Sequence, residues 1–112
     1  MTPAIQLLLI QLMQLAARLV TEDRYQIHVR LSNHCYDIDV GVYPHGSIWR
    51  RELPTPVAIA SAYVRWNPYR CALDTDEDFA ASLTQAQGQL EFLRAALNAY
   101  LLPDTTDLQE AA

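Results

Sequence analysis

The stretch whose reading decides the fold is YQIHVRLS, residues 25–32, followed by Asn33-His34 and then CYDIDVGVY, residues 35–43. On both sides of Asn33-His34, apolar and polar residues alternate with a period of two, the mark of half-buried strands. A reversal at Asn33 and His34 sets Leu31 opposite Tyr36, Val29 opposite Ile38 and Ile27 opposite Val40. Every inward pair is then apolar, while the other face pairs Arg30 with Asp37 and His28 with Asp39. A slip of one residue would oppose apolar to polar side chains throughout, so the pattern assigns each residue to a face.

Upstream of the hairpin, Pro3 suits a helix start, and Ile5, Leu9, Leu12, Ala16 and Leu19 follow in steps of four and three. Leu8, Ile10, Met13 and Leu15 widen that stripe, so the helix needs neighbours on two sides. The run has no basic leader and is interrupted by Gln6, Gln11, Gln14 and Arg18, which favours a buried soluble helix over a signal peptide or membrane span.

Downstream, Pro44-His45-Gly46-Ser47 is a turn signal, and Ile48 to Leu53 reads as a short third strand. With Thr55 as cap and Pro56 at the first helical position, Val57 to Trp66 reads as a helix of about three turns. A buried strand is the alternative for Val57 to Trp66, but a hairpin closing at Asn67-Pro68 would oppose Arg65 to Arg70. Tyr69, Cys71 and Leu73 alternate as a short fourth strand would. Thr75 and Asp78 then form a capping-box start, with Asp76 and Glu77 at the positive end of the helix dipole. Phe79, Leu83, Ala86, Leu90, Leu93, Leu97 and Tyr100 continue in four-three steps up to Pro103. A helix of that length, about 40 Å, overhangs a strand of about 23 Å. Its seam is buried against the first helix, against a symmetry mate through Leu83, Leu90, Leu93 and Leu97, or against both.

These elements predict an α+β fold: an antiparallel sheet of three or four strands flanked by an N-terminal helix and a long C-terminal helix. The 112 residues, half of them hydrophobic, suffice for one domain, read as 1–103, with 104–112 as a flexible acidic tail. All eight basic residues are arginines, which excludes Schiff-base lysine chemistry and a Walker-type phosphate loop. A net charge of −5 argues against broad binding to nucleic acid or anionic membrane. Residues 43–72, with four arginines against Glu52, nevertheless carry +3, whereas 73–112, with eight acids against Arg94, carry −7. Cys35 and Cys71 are isolated thiols without a CxxC spacing, as in a reduced, cytoplasmic protein.

The basic middle segment holds Trp49, Arg50, Arg51, Arg65, Trp66, Tyr69 and Arg70. Trp, Tyr and Arg are the residue types most enriched at binding hot spots, so these seven are the expected partner-binding residues. The role that follows is a non-enzymatic protein-binding module. A small bacterial or phage inhibitor, immunity or accessory factor fits it, homodimeric, acting on a protein partner, with no catalytic residue, cofactor or metal. From another class, a metal- or thiol-dependent enzyme would use the hairpin face. His28, Asp37 and Asp39 share that face, His45 could fold back, and His34-Cys35 pairs an imidazole with a thiol.

One helix, three strands and a closing helix also match the outline of double-stranded-RNA-binding domains. Those domains begin their last helix with a basic cluster, where Thr75-Asp76-Glu77-Asp78 stands here. In element order, size and acidity the chain resembles the small acidic dimeric chaperones of bacterial secretion systems. That resemblance, which rests on outline without a diagnostic motif, implies a dimeric chaperone as the alternative role.

Overall fold

A computed structural model describes residues 2–102 and shows the element order α1 (Pro3–Glu22), β1 (Tyr25–Ser32), β2 (Asp37–Pro44), β3 (Ala60–Arg65) and α2 (Asp76–Asn98). The fold is α+β: a three-stranded antiparallel sheet in the order β1-β2-β3, with both helices packed on one face. The acidic tail read at 104–112 lies outside the described residues.

Thr2 caps α1 by accepting the Ile5 N–H at 3.2 Å, and Pro3 sits in the first turn, where its missing N–H costs nothing. Ile5, Leu8, Leu9, Leu12, Ala16 and Leu19 form the buried stripe of α1. The helix stops at Asp23, which takes a left-handed conformation (φ 53°) and turns its N–H back to the carbonyls of Leu19 and Val20.

The hairpin forms, but two residues out of the expected register. Leu31 pairs with Ile38, Val29 with Val40 and Ile27 with Val42; on the other face Arg30 meets Asp39, His28 meets Gly41 and Ser32 meets Asp37. The chain turns through four residues, Asn33 to Tyr36, with Tyr36 left-handed at φ 51°, instead of two. A shift of two preserves every inward and outward assignment, so alternation alone cannot distinguish these registers; the length of the turn does.

The third strand is Ala60–Arg65, not Ile48–Leu53, and Val57–Trp66 is not a helix. Ala60, Ala62 and Val64 face Val42, Val40 and Ile38, while Ser61, Tyr63 and Arg65 point away from the helices. This is clean alternation with small residues at the inward positions. Residues 48–53 lack it, because Ile48 and Trp49 are adjacent and Arg50, Arg51 and Glu52 follow in a row. The like charges of Arg65 and Arg70 are never opposed: Arg70 turns away to Asp76 and the Asp74 carbonyl. Residues 69–73 form turns and add no fourth strand.

α2 carries the expected capping box, with the Asp78 N–H donating to Thr75 Oγ1 at 3.1 Å and the Thr75 N–H donating to Asp78 Oδ2 at 3.2 Å. Leu90, Leu93 and Leu97 are buried within the chain and Leu83 packs on the same core, so this seam is filled by α1 and the sheet. The surface expected at Leu83, Leu90, Leu93 and Leu97 for a symmetry mate is therefore taken up internally. The end of α2 is tied to the α1–β1 corner. Glu22 accepts the Leu102 N–H at 3.1 Å, Arg24 donates to the Tyr100 carbonyl, and Tyr100 meets the Tyr25 ring edge-on at 5.4 Å.

Candidate functional site

Among the described residues, no helix covers the outer face of the sheet. Gln26, His28 and Arg30 of β1, Asp37, Asp39, Gly41 and Tyr43 of β2, and Ser61, Tyr63 and Arg65 of β3 share it by strand alternation. Trp49 reaches back from the β2–β3 loop onto one end of this face.

There His28, Tyr43 and Trp49 form a closed ring triad, with centroids 4.8 to 5.0 Å apart and tilted or edge-on faces. Gln26 holds it: its Oε1 accepts from Trp49 Nε1 and lies 2.8 Å from His28 Nε2, while its Nε2 donates to the Ser47 carbonyl at 3.0 Å. An acceptor at that position requires the proton of neutral His28 on Nε2, leaving Nδ1 as an acceptor. Tyr43 can lie flat because Gly41, two residues before it on the same face, has no side chain. Beside the triad is a shallow depression of about 420 Å³ between His28, Arg30, Asp39, Gly41, Tyr43 and Ser61.

The other end of the face is built differently. Asp37 is 3% exposed, accepts from the Tyr63 hydroxyl at 2.9 Å, and has no partner for Oδ1 among the described residues. That bond, then burial and the carboxylate charge, raises the Tyr63 phenol above its usual pKa. Nearby, the Tyr36 hydroxyl donates to that of Tyr69 at 3.2 Å, and this bond raises the Tyr36 phenol.

The seven partner-binding residues expected from the sequence do not form one patch. Trp49, Arg50 and Arg51 stand at the Tyr43 end, exposed. Arg65, Tyr69 and Arg70 stand at the opposite end, where Arg65 pairs with Asp37, six residues and about 20 Å from Tyr43 along β2. Trp66 lies inside the chain, 3% exposed, in the same core as Ala86. Gln26, His28, Gly41 and Tyr43 were absent from the expected set. Their signal was available in the outward alternation of the hairpin, with a glycine two places before a tyrosine.

The residues considered for an enzyme are dispersed. His45 pairs with Asp23 at 3.4 Å, and His34 and Cys35 are exposed in the hairpin turn with no hydrogen bond joining their side chains among the described residues. His28 is engaged with Gln26, Asp39 is exposed, and Asp37 is bonded to Tyr63. Among the described residues, no three His, Cys, Asp or Glu side chains converge to hold a metal ion. No family model, curated protein or solved structure matches this chain.

Proposed function

We propose that this chain is a non-enzymatic protein-binding module, a small inhibitor, immunity or accessory factor of bacterial or phage type, that docks its partner on the open face of the sheet. The observation that carries this reading is the His28–Tyr43–Trp49 triad, prearranged by Gln26 on an uncovered surface. Rigid aromatic groups lose little conformational freedom on binding, and a ready-made depression beside them accepts a side chain. Arg50 and Arg51, exposed beside Trp49, and Arg30 at the depression favour a partner segment that presents carboxylates.

The test is capture of a stoichiometric partner from host lysate by the tagged native chain, repeated with Trp49→Ala and with Arg50→Ala plus Arg51→Ala. A hot-spot tryptophan costs about 2 kcal/mol or more on truncation, a loss of roughly 30-fold in affinity. Retention of the partner by both variants, each with an unchanged circular dichroism spectrum, overturns the reading.

A further inference from the structure

We propose that two copies of this chain pair along β1 and α1, forming a continuous six-stranded sheet with the two open faces side by side. α1 is long and apolar enough to cross a membrane by length and composition, yet only 33% of its most apolar window is buried within the chain. Ile10, Met13 and Val20 are 51%, 41% and 57% exposed, and with Ala17 they recur in steps of three and four, one stripe of the helix. This stripe lies on the β1 side, where Ile10, Met13, Ala17 and Leu31 line an apolar cleft. Leu31, which faces the helix layer, is still 46% exposed at the end of β1.

Among the described residues, β1 is an edge strand, eight residues long and paired only with β2. It carries no proline and no break in its register, two of the usual devices that keep an exposed edge from pairing, and Arg30 is its one charged side chain. The other edge differs: β3 has six residues and is bracketed by Pro54, Pro56 and Pro68. Among the described residues, the α1 stripe and the β1 edge therefore form one unpartnered strip two layers deep.

A second copy is the occupant that fits this strip. Residues 2–17 carry no charged side chain, so two chains of net charge −5 meet there without opposing carboxylates. A strip about 30 Å long and about 20 Å deep covers about 600 Å² per copy, about 1,200 Å² in total, within the range of stable interfaces. A two-fold axis through Val29 sets Ile27 against Leu31 of the second copy, buries Leu31, and places His28 against Arg30. Centring the axis on Arg30 would oppose two arginines. The interface leaves Tyr43 and Trp49 free and brings Arg30 of the second copy beside His28, and because the dimer needs no further partner, sedimentation of the chain alone tests it apart from the proposed docking role.

Sedimentation equilibrium of the full chain tests it, the expected mass being twice 12.7 kDa. Met13→Arg combined with Leu31→Arg, both at exposed positions, is expected to weaken the dimer at least 100-fold with unchanged circular dichroism. In a background with Cys35→Ser and Cys71→Ser, Val29→Cys is expected to give an intermolecular disulfide under mild oxidation, whereas Ser61→Cys on β3 is not. A chain that is monomeric at tens of micromolar overturns the proposal, as does a monomer that floats with phosphatidylcholine vesicles. A dimer indifferent to the arginine substitutions, or one cross-linked through Ser61→Cys and not Val29→Cys, overturns it as well.

Discussion

The ring of Tyr43 lies across Gly41, so close that a β-carbon on Gly41 would stand 2.6 Å from Tyr43 Cε2. The contact joins the glycine of the central strand to the aromatic triad. Without a bare backbone at position 41, the Tyr43 ring must rise and separate from Trp49 and His28. Gly41→Ala is expected to leave the fold intact at a cost of about 1 kcal/mol, the low end for overpacking, because a ring can swing where backbone cannot. Its signature is a changed Trp49 fluorescence, with red-shifted emission as the indole gains water. Unchanged emission would show that Tyr43 does not hold the indole in place.

Leu90 is fully buried and Phe92, two residues on, is 78% exposed. Leu90→Ala is expected to cost about 2–5 kcal/mol in urea denaturation, as lost transfer energy and a cavity add together. Phe92→Ala is expected to stay within about 0.5 kcal/mol. Reversal of this order would mean that α2 is rotated on the sheet.

Tyr63 donates to the buried carboxylate of Asp37, and the bond raises the phenol pKa above its usual value. A group whose folded pKa is raised contributes stability that is complete below its unfolded pKa, about 10, and lost as pH rises through the folded value. Stability should therefore fall on the alkaline side, and Tyr63→Phe should remove that slope while lowering the denaturation midpoint at neutral pH. Denaturation midpoints across the alkaline range, with a tyrosinate absorbance titration, measure both effects.

Glu22 behaves in the opposite sense. Burial pushes its carboxyl up, but the Leu102 N–H and the Arg24 guanidinium together bring it below the ordinary glutamate value. A depressed folded pKa gives stability that is present above the unfolded value, about 4.3, and lost as pH falls through the folded one. Acidification below about pH 4.3 should thus loosen the junction of α1 with the end of α2. Hydrogen exchange at Leu102 is the measurement, and Glu22→Gln should show the faster exchange already at neutral pH.

Much of this architecture is written locally. The caps at Thr2 and Thr75 depend on residues three positions away, and the four-three spacing of Leu90, Leu93 and Leu97 follows from helix geometry. The inward and outward faces of the hairpin follow from a period of two, which survives a two-residue error in register. β3 was less legible because Ala60, Ala62 and Val64 fit a helix as readily as a strand. The requirement of β2 for a second neighbour chose between them.

The binding face lay further from view. Trp49 and Trp66 have similar sequence surroundings, each beside arginine, yet one stands on the open face and the other is inside the core. That difference arises because Ser47 and Trp49 return to Gln26 and His28, whereas Trp66 continues the inward alternation of β3. Composition and periodicity thus settle the two helices and the β1–β2 hairpin and which way their side chains point, since these depend on near neighbours and backbone period. Turn length, strand choice and the meeting of His28, Tyr43 and Trp49 belong to the tertiary structure, because each depends on contacts between residues distant in the chain.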